Sequence, residues 1–407
     1  MARVLILLPS ATYRAPDFLA AAARLDTEVV VASDAAQTID MGDRALVVDL
    51  SDPEAAADTV VEAAARHPLD AVVAVDDQGV VVAALAAARL GLAHNPPGAV
   101  AATRDKATLR TALAAAGTVG QPAFALVPAG AGVEAAAEDV GFPCVVKPLS
   151  LAASRGVIRA NSTGEAILAA EWTRAIVAEA TGTRGAPLVV EHYVDGTEVA
   201  VEALLRGGRL EVLAIFDKPD PLVGPYFEET LYVTPSRLPE SVLTAVVEAV
   251  VAASAAIGLL EGPVHAELRI DAAGRPWLLE VAARSIGGLC SRALRFGAGV
   301  SLEELILRHA LGLPLDPERE RVASGVMMLP IPTSGTLVEV RGQEAARAVP
   351  GVEGFELSVL PGRPVRPLPE GDRYLGFLFA RGETPEEVET ALRSAHACLE
   401  VVIDPLG

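Results

Sequence analysis

Cysteine is scarce in this chain: Cys144, Cys290 and Cys398 are the only three in 407 residues, odd in number and far apart. No C-x-x-C or Cys/His cluster appears, so neither a disulfide framework nor a zinc site is indicated, and the thiols read as reduced and buried. Basic residues are short as well. Thirty-three Lys and Arg stand against 53 Asp and Glu, a formal net charge of −20. Such a surface repels phosphate backbones and anionic lipid, which excludes general nucleic-acid and membrane-surface partners. Long apolar runs are missing too, although mean hydropathy is high at +0.39. The longest charge-free stretches, 111–133 and 322–338, are broken by Pro and Gly, short of the ~20 apolar residues of a spanning helix. The opening MARVLILLPSATYRAPD has Pro9 within a short apolar run and no small-residue cleavage site. It reads as a first strand and not a signal peptide, and the expectation is a soluble, cytoplasmic protein.

Several catalytic signatures are absent. The turn after the first strand, PSATYR, lacks G-x-G-x-x-G; there is no G-x-x-x-x-G-K-[ST], no kinase set and no G-x-S-x-G elbow, and the six histidines show no H-E-x-x-H spacing. Dinucleotide binding, covalent serine hydrolysis and zinc hydrolysis therefore have no visible apparatus. Asp34, at the end of the second strand, could meet a ribose but lacks the glycine turn that would go with it.

What is present begins with strand–helix alternation. RVLILLP, TEVVVASD, RALVVDL and LDAVVAVDD read as strands apolar on both faces, separated by Ala-rich helices, the pattern of a parallel α/β sheet. AHNPPGAVAATRDKATLRTALAAAG then reads as a Pro/Gly linker followed by a helix, which marks a boundary near residue 100. At ~150 residues per domain the length predicts two or three domains.

The middle of the chain carries the chemistry. Lys106 and Arg110 fall four apart on one helix face, a spacing that a solvated face shares. In GFPCVVKPLSLAASRGV, Val145 and Val146 deliver Lys147 beside a loop of small residues ending Ser154-Arg155-Gly156-Val157. Backbone N–H groups of such a loop can close over phosphate oxygens, though a surface hairpin with an incidental lysine fits the same letters. LVVEHYVDGTEVAVEALL alternates on either side of Asp195-Gly196 and carries Glu191, Glu198 and Glu202. VHAELRIDAAGRPWLLEVAARSIGG forms a hairpin around Ala273-Gly274 that can set Glu267 and Glu280 side by side. Adjacent carboxylates among apolar residues repel unless a cation lies between them, a role open to magnesium or manganese or to arginines such as Arg269 and Arg284.

This order and spacing resemble the ATP-grasp superfamily of ATP-dependent carboxylate–amine ligases over nearly the whole chain. The resemblance implies an N-terminal parallel α/β domain (1–100), an ATP-grasp domain of lid and core (101–320, lid about 120–195) and a small C-terminal α/β domain (321–407). It implies ATP and two Mg²⁺ or Mn²⁺ ions. Lys106 and Lys147 match the nucleotide lysines, and 150–157, with Ser154, Arg155 and Gly156, the phosphate-covering loop. Glu191, His192, Tyr193 and Val194 match the adenine hinge, Glu198 the ribose ligand, and Glu267 and Glu280 the metal carboxylates. Arg284 matches the arginine after them, catalytic with Lys147. Ala282 stands where the superfamily has a metal-binding Asn in E-x-N-x-R. E-x-A-x-R-x-x-G with H-x-E before it (His265, Glu267) is similar to the L-amino-acid ligases, which join free amino acids into dipeptides. PYFEETLYVTPS resembles their E-x-G-H-x-x-P stretch, with Glu229 on the position that meets a substrate ammonium, Tyr232 in place of His, and Pro235 on the proline. The implied chemistry is an amide bond made through an acyl phosphate, with ADP and phosphate released. The implied partners are small carboxylate and amine substrates, amino acids among them, and a second copy in a homodimer. Two other readings stay open: a ligase joining a non-proteinogenic carboxylate and an amine, and an ATP-binding protein whose catalysis has decayed. Gly287 and Gly288, after Arg284, are expected to leave room for a substrate side chain.

Overall fold

The computed structural model describes residues 1–36 and 41–405. It opens with a four-stranded parallel sheet ordered β3-β2-β1-β4. The strands are β1 (Arg3–Leu7), β2 (Glu28–Ser33), β3 (Ala45–Val47) and β4 (Ala71–Ala74), with helices α1 (Ala15–Arg24), α2 (Pro53–Arg66) and α3 (Val80–Leu90). Leu5 and Leu7 face α2 and α3, while Val4 and Ile6 face α1 and the rest of the molecule. Both faces of each strand are therefore apolar, which is why these segments are continuous hydrophobic runs.

The expected single helix after the linker is two, α4 (Pro97–Arg104) and α5 (Lys106–Ala116). Asp105 breaks them: it is extended (φ −129°), and its carboxylate accepts from the Thr108 N–H at 2.7 Å. That N-cap starts α5 at Lys106.

A second four-stranded sheet, ordered β5-β8-β6-β7, is antiparallel throughout: β5 (Phe124–Val127), β6 (Cys144–Pro148), β7 (Ile158–Ala160) and β8 (Leu188–His192). Helices α6 (Glu134–Val140) and α7 (Thr163–Thr181) cover one face through Ala137, Ala166, Ala169 and Ala170.

The largest sheet has eight strands, ordered β13-β12-β9-β10-β11-β14-β18-β16. It contains β9 (Thr197–Arg206), β10 (Arg209–Lys218), β11 (Leu231–Thr234), β12 (Gly262–Ile270), β13 (Pro276–Ala282) and β14 (Ala323–Leu329). Helix α8 (Glu240–Ile257) packs on one face with α4 and α5; α9 (Leu302–Ala310) packs on the other with the N-terminal unit. By length and composition alone α8 could cross a membrane, but its Val246, Val250, Ala253 and Ile257 are buried in this core. The remainder comprises β15 (Gly335–Arg341), α10 (Gln343–Arg347), β16 (Val352–Leu357), β17 (Pro364–Val365), β18 (Gly376–Gly382), α11 (Pro385–Ala397) and β19 (Glu400–Pro405). Strands β17-β15-β19 form a small sheet of their own. The chain after residue 320 is α/β as expected, yet three of its strands continue the large sheet through the β11–β14 pairing.

The strands flanking Asp195-Gly196 are not a hairpin: β8 and β9 belong to different sheets, and the turn crosses between them. Gly196 has φ +139°, and a Cβ there would lie 2.0 Å from the Ile270 carbonyl oxygen, so the crossing requires glycine. Cys144 and Cys290 are buried, whereas Cys398, read as buried, is exposed at the end of α11.

Candidate active site

The site forms where α5, the second sheet and the large sheet meet. One turn of α5 separates Lys106 from Arg110, so both point the same way. Arg110 is buried and grips Glu191 with two bonds, Nε to Oε1 at 2.6 Å and Nη2 to Oε2 at 3.1 Å. It also donates to the Leu278 and Leu279 carbonyls at 2.9 and 2.8 Å. Lys147, from β6, donates to the same carboxylate at 2.7 Å. Burial alone would raise Glu191, but Arg110 and then Lys147 pull its carboxyl down to about 2. For Lys147, burial lowers the ammonium further than Glu191 restores it. Glu191, expected to face adenine, lines the cleft but holds two cations instead.

That cleft spans about 690 Å³, open solvent included. One end is apolar, with Val145, Val157, Leu222, Tyr193 and Phe227 in one cluster; the Tyr193 and Phe227 rings stack at 6.3 Å. The other end carries Lys106, Lys147, Ser154, Glu267 and Glu280. Lys106 donates to the Leu151 carbonyl at 3.0 Å and lies 3.9 Å from Glu280. An apolar cluster beside cations and carboxylates in one cleft suits a nucleotide. His192, Tyr193 and Val194 also line it; the Tyr193 N–H donates to the Pro143 oxygen, and the Val194 oxygen accepts from Arg269.

Glu267 stands opposite Glu280 in the β12–β13 register, with a bulge just after Glu267. The 273–274 turn that the sequence shows therefore does pair them. Glu267 also joins Glu198 and Glu229 in a cluster whose carboxylates lie within 4.8 Å of one another. Lys218 sits among the three, 2.7 Å from Glu198, 3.4 Å from Glu267 and in contact with Glu229. Sequence reasoning missed this lysine. Its signal was the Gly207-Gly208 turn, which sets Lys218 opposite Glu198 across β9 and β10. Glu198, expected to meet a ribose, is buried and bonded to Lys218 and to Arg269 at 2.9 Å. Burial, then Glu267 beside it, pushes Glu229 up to about 7, while Lys218 and His265 outweigh burial and hold Glu267 low. His265 bridges Glu202 at 3.2 Å and Glu267 at 3.4 Å. Against the cost of burial, these partners push it up to about 9.

Arg284 lies apart from that cluster. Its guanidinium pairs with Asp77, just beyond β4, at 2.9 Å, and Arg104 holds the other oxygen at 3.0 Å. Burial alone would raise Asp77, yet the two arginines bring it to about 2. Arg14, buried, donates to Ser285 at 2.6 Å and anchors the same segment. The N-terminal sheet thus orients Arg284, a link that no local pattern reveals.

Three expectations need correction. In the phosphate loop only Ser154 of the three named residues lines the cleft. The Gly156 N–H is given to the Pro369 oxygen at 3.0 Å, and Arg155 faces the C-terminal strands. Tyr232 is buried, with its ring 5.0 Å from Lys218 and packed on Phe216. Gly288 leaves no room: it has φ +63°, and a Cβ there would meet the Phe377 ring at 3.0 Å. Gly287 alone has nothing within 4 Å.

Residues 140–293 match the ATP-grasp domain family, 19–96 the ATP-grasp N-terminal domain, and 327–404 the L-amino acid ligase C-terminal domain 2. A D-alanine–D-alanine ligase of Gloeobacter violaceus is 30% identical over 239 residues, 54% of this chain and 72% of that one. With the fold and cleft above, these matches show that the chain belongs to the ATP-grasp superfamily of carboxylate–amine ligases. More particularly, it is similar to the L-amino acid ligase from Bacillus licheniformis, at 27% identity over 99% of both chains with a TM-score of 0.85. It is also 28% identical to the alanine–anticapsin ligase of Bacillus subtilis (strain 168) over 270 residues, 62% of this chain. The chain spans 56–62% of the length of the first curated relatives it matches.

Two outcomes follow from the packing. Glu191→Gln leaves Arg110 and Lys147 unneutralised, and its chemical-denaturation midpoint should fall by the equivalent of about 3 kcal/mol; an unchanged midpoint would refute the load placed on this carboxylate. Gly288→Ala should destabilise by about 1–2 kcal/mol, and Gly287→Ala by less than about 0.5, read as thermal-denaturation shifts. Equal effects would mean that Gly288 is not conformationally required.

Proposed function

We propose that this protein joins a carboxylate, an L-amino acid, to an amine at the expense of ATP, through an acyl phosphate, releasing ADP and phosphate. The observation that carries the reading is the meeting, in one cleft, of Lys106, Lys147 and the register-paired Glu267 and Glu280. A carboxylate resists direct attack because oxide leaves poorly. Phosphorylation converts that oxygen into a phosphate leaving group, and no protein nucleophile is needed.

The apolar slot of Val145, Val157, Tyr193 and Phe227 receives the base, and Ser154 with the 150–154 backbone approaches the phosphates. Lys147 and Lys106 offset phosphate charge; fixed by Glu191 and by the Leu151 carbonyl, they need no rearrangement when the nucleotide arrives. Glu267 and Glu280 offer hard oxygen donors across one strand pair, a set that suits magnesium or manganese, two ions on this reading. Bound there, the metal supplies charge neutralisation along the phosphate chain. Arg284, held by Asp77, presents its fork to the acyl phosphate and the oxyanion that follows. Glu229 takes a substrate ammonium in exchange for Lys218, and Gly287 faces the open side of the reacting carboxyl.

Incubation with Mg-ATP and single or paired L-amino acids should release ADP and phosphate only when substrate is present; AMP would point to adenylation and overturn the proposal. Glu280→Gln keeps the shape and should lose at least ~10-fold in turnover. Arg284→Lys keeps charge without the fork and should also lose at least ~10-fold, about 1.4 kcal/mol. Near-wild-type ligation by either variant would remove that residue from the mechanism.

A further inference from the structure

Strand β9 holds an acid for which the mechanism above has no use. Its side chains alternate between two apolar cores: Val199, Val201, Ala203 and Leu205 face the α8 side, and Ala200 and Leu204 face the N-terminal unit. Glu202 lies between those last two in the alternation and is fully buried. In the β9–β12 register His265 stands opposite Glu202, and Glu267 opposite Ala200. An apolar residue at 202 would simply continue the core, whereas a buried carboxylate is costly unless it is paired and hydrogen-bonded. Only one of its oxygens is so served. Oε1 is buried without a partner among the described residues. Burial pushes the carboxyl above the ordinary carboxylate range, against the pull of His265 and the Ile286 N–H.

The other oxygen has two contacts that lead to different parts of the site. Oε2 lies 3.2 Å from His265 Nδ1 and accepts the Ile286 N–H at 2.9 Å. On the first branch, His265 Nε2 lies 3.4 Å from Glu267 Oε1, so the imidazole has an acceptor at each nitrogen and is held in one orientation. On the second branch, Ile286 follows Arg284 and Ser285. Arg284 donates to the Ser285 carbonyl at 2.9 Å, and the Ser285 hydroxyl accepts from Arg14 at 2.6 Å. The backbone just beyond Arg284 is thus pinned from the N-terminal unit by Arg14 and from the large sheet by Glu202.

We propose that Glu202 is a positioning residue for the ligation: its Oε2 holds the His265 ring against Glu267 and the Ile286 backbone behind Arg284, so that carboxylate and arginine keep a fixed relation. The inference rests on the ligase reading above, which uses Glu267 and Arg284 and gives Glu202 no part. Groups that stabilise a transition state act through geometry set beforehand, and a small displacement of either is costly. That role accounts for an acid where the pattern of the strand calls for an apolar residue: stability is given up for placement.

The test uses Glu202→Gln, which keeps the shape and loses the charge, and Glu202→Leu, which loses both bonds. At saturating Mg-ATP, Glu202→Gln should lower kcat at least ~10-fold with KM for the amino acid within ~3-fold of wild type, and Glu202→Leu should lose at least ~10-fold more. Val246→Ala, which opens a cavity in the α8 core, is the stability control: it lowers the thermal midpoint and should leave kcat unchanged well below it. Two readouts separate placement from packing. Manganese titration with AMP-PNP present, followed by electron paramagnetic resonance, should show at least ~10-fold weaker binding in Glu202→Gln. Combined with Arg284→Lys, Glu202→Gln should cost less than the product of the two single losses, because both disturb one placement. An unchanged manganese affinity, fully multiplicative losses, a kcat equal to wild type, or a Glu202→Leu variant as active as Glu202→Gln overturns the proposal. Should Glu202→Leu not fold, the Gln variant carries the remaining readouts alone. Failure of the ligase reading looks different: no amino acid would elicit ADP from the wild type.

Discussion

The arrangement depends on one buried carboxylate. Glu191 lies near the end of β8, the last strand of the second sheet before the chain crosses to the large sheet, and it holds Arg110 from α5 and Lys147 from β6 at once. Two cations brought that close would repel, and each would be costly to bury alone. With the carboxylate between them they become a rigid donor set, and Arg110 extends it to the Leu278 and Leu279 carbonyls beside Glu280. Helix α5 and strands β6, β8 and β13 are therefore fixed relative to one another by a single ionised group.

Much of the fold was legible because it is written in local periodicity. The parallel strands at the N-terminus are apolar on both faces, and the β12–β13 turn falls midway between Glu267 and Glu280. What stayed hidden is what joins distant segments. Arg110 and Glu191 are 81 residues apart, and Asp77 and Arg284 follow the ends of strands in different sheets, so no spacing rule connects them. Helix α5 showed Arg110 beside Lys106 but could not say which would be buried. The glycine pair failed for another reason. A glycine letter stands equally for empty space and for a left-handed backbone, and Gly288 is the second kind while Gly287 is the first.

The acidic cluster shows the same economy of charge. Glu198, Glu229 and Glu267 could not share so small a volume as free anions, and Lys218 with Arg269 and His265 makes the group tolerable. Lys218 supplies the ammonium the three carboxylates share, and under the proposed function an arriving substrate ammonium would displace a like group. Charge balance is kept through the exchange, which a pocket of bare carboxylates could not manage.

The C-terminal strands have a place in this scheme beyond their own core. Through β11 and β14 they continue the sheet that carries Glu267 and Glu280, and through Pro369 and Glu370 they touch the 150–156 loop and α7. The 150–156 loop is thus tied to strands that continue the large sheet. Moving the 120–195 segment away from the C-terminal strands would release the Gly156–Pro369, Trp172–Glu370 and Glu179–Arg366 contacts together, and two of the three are exposed side-chain bonds, individually worth little.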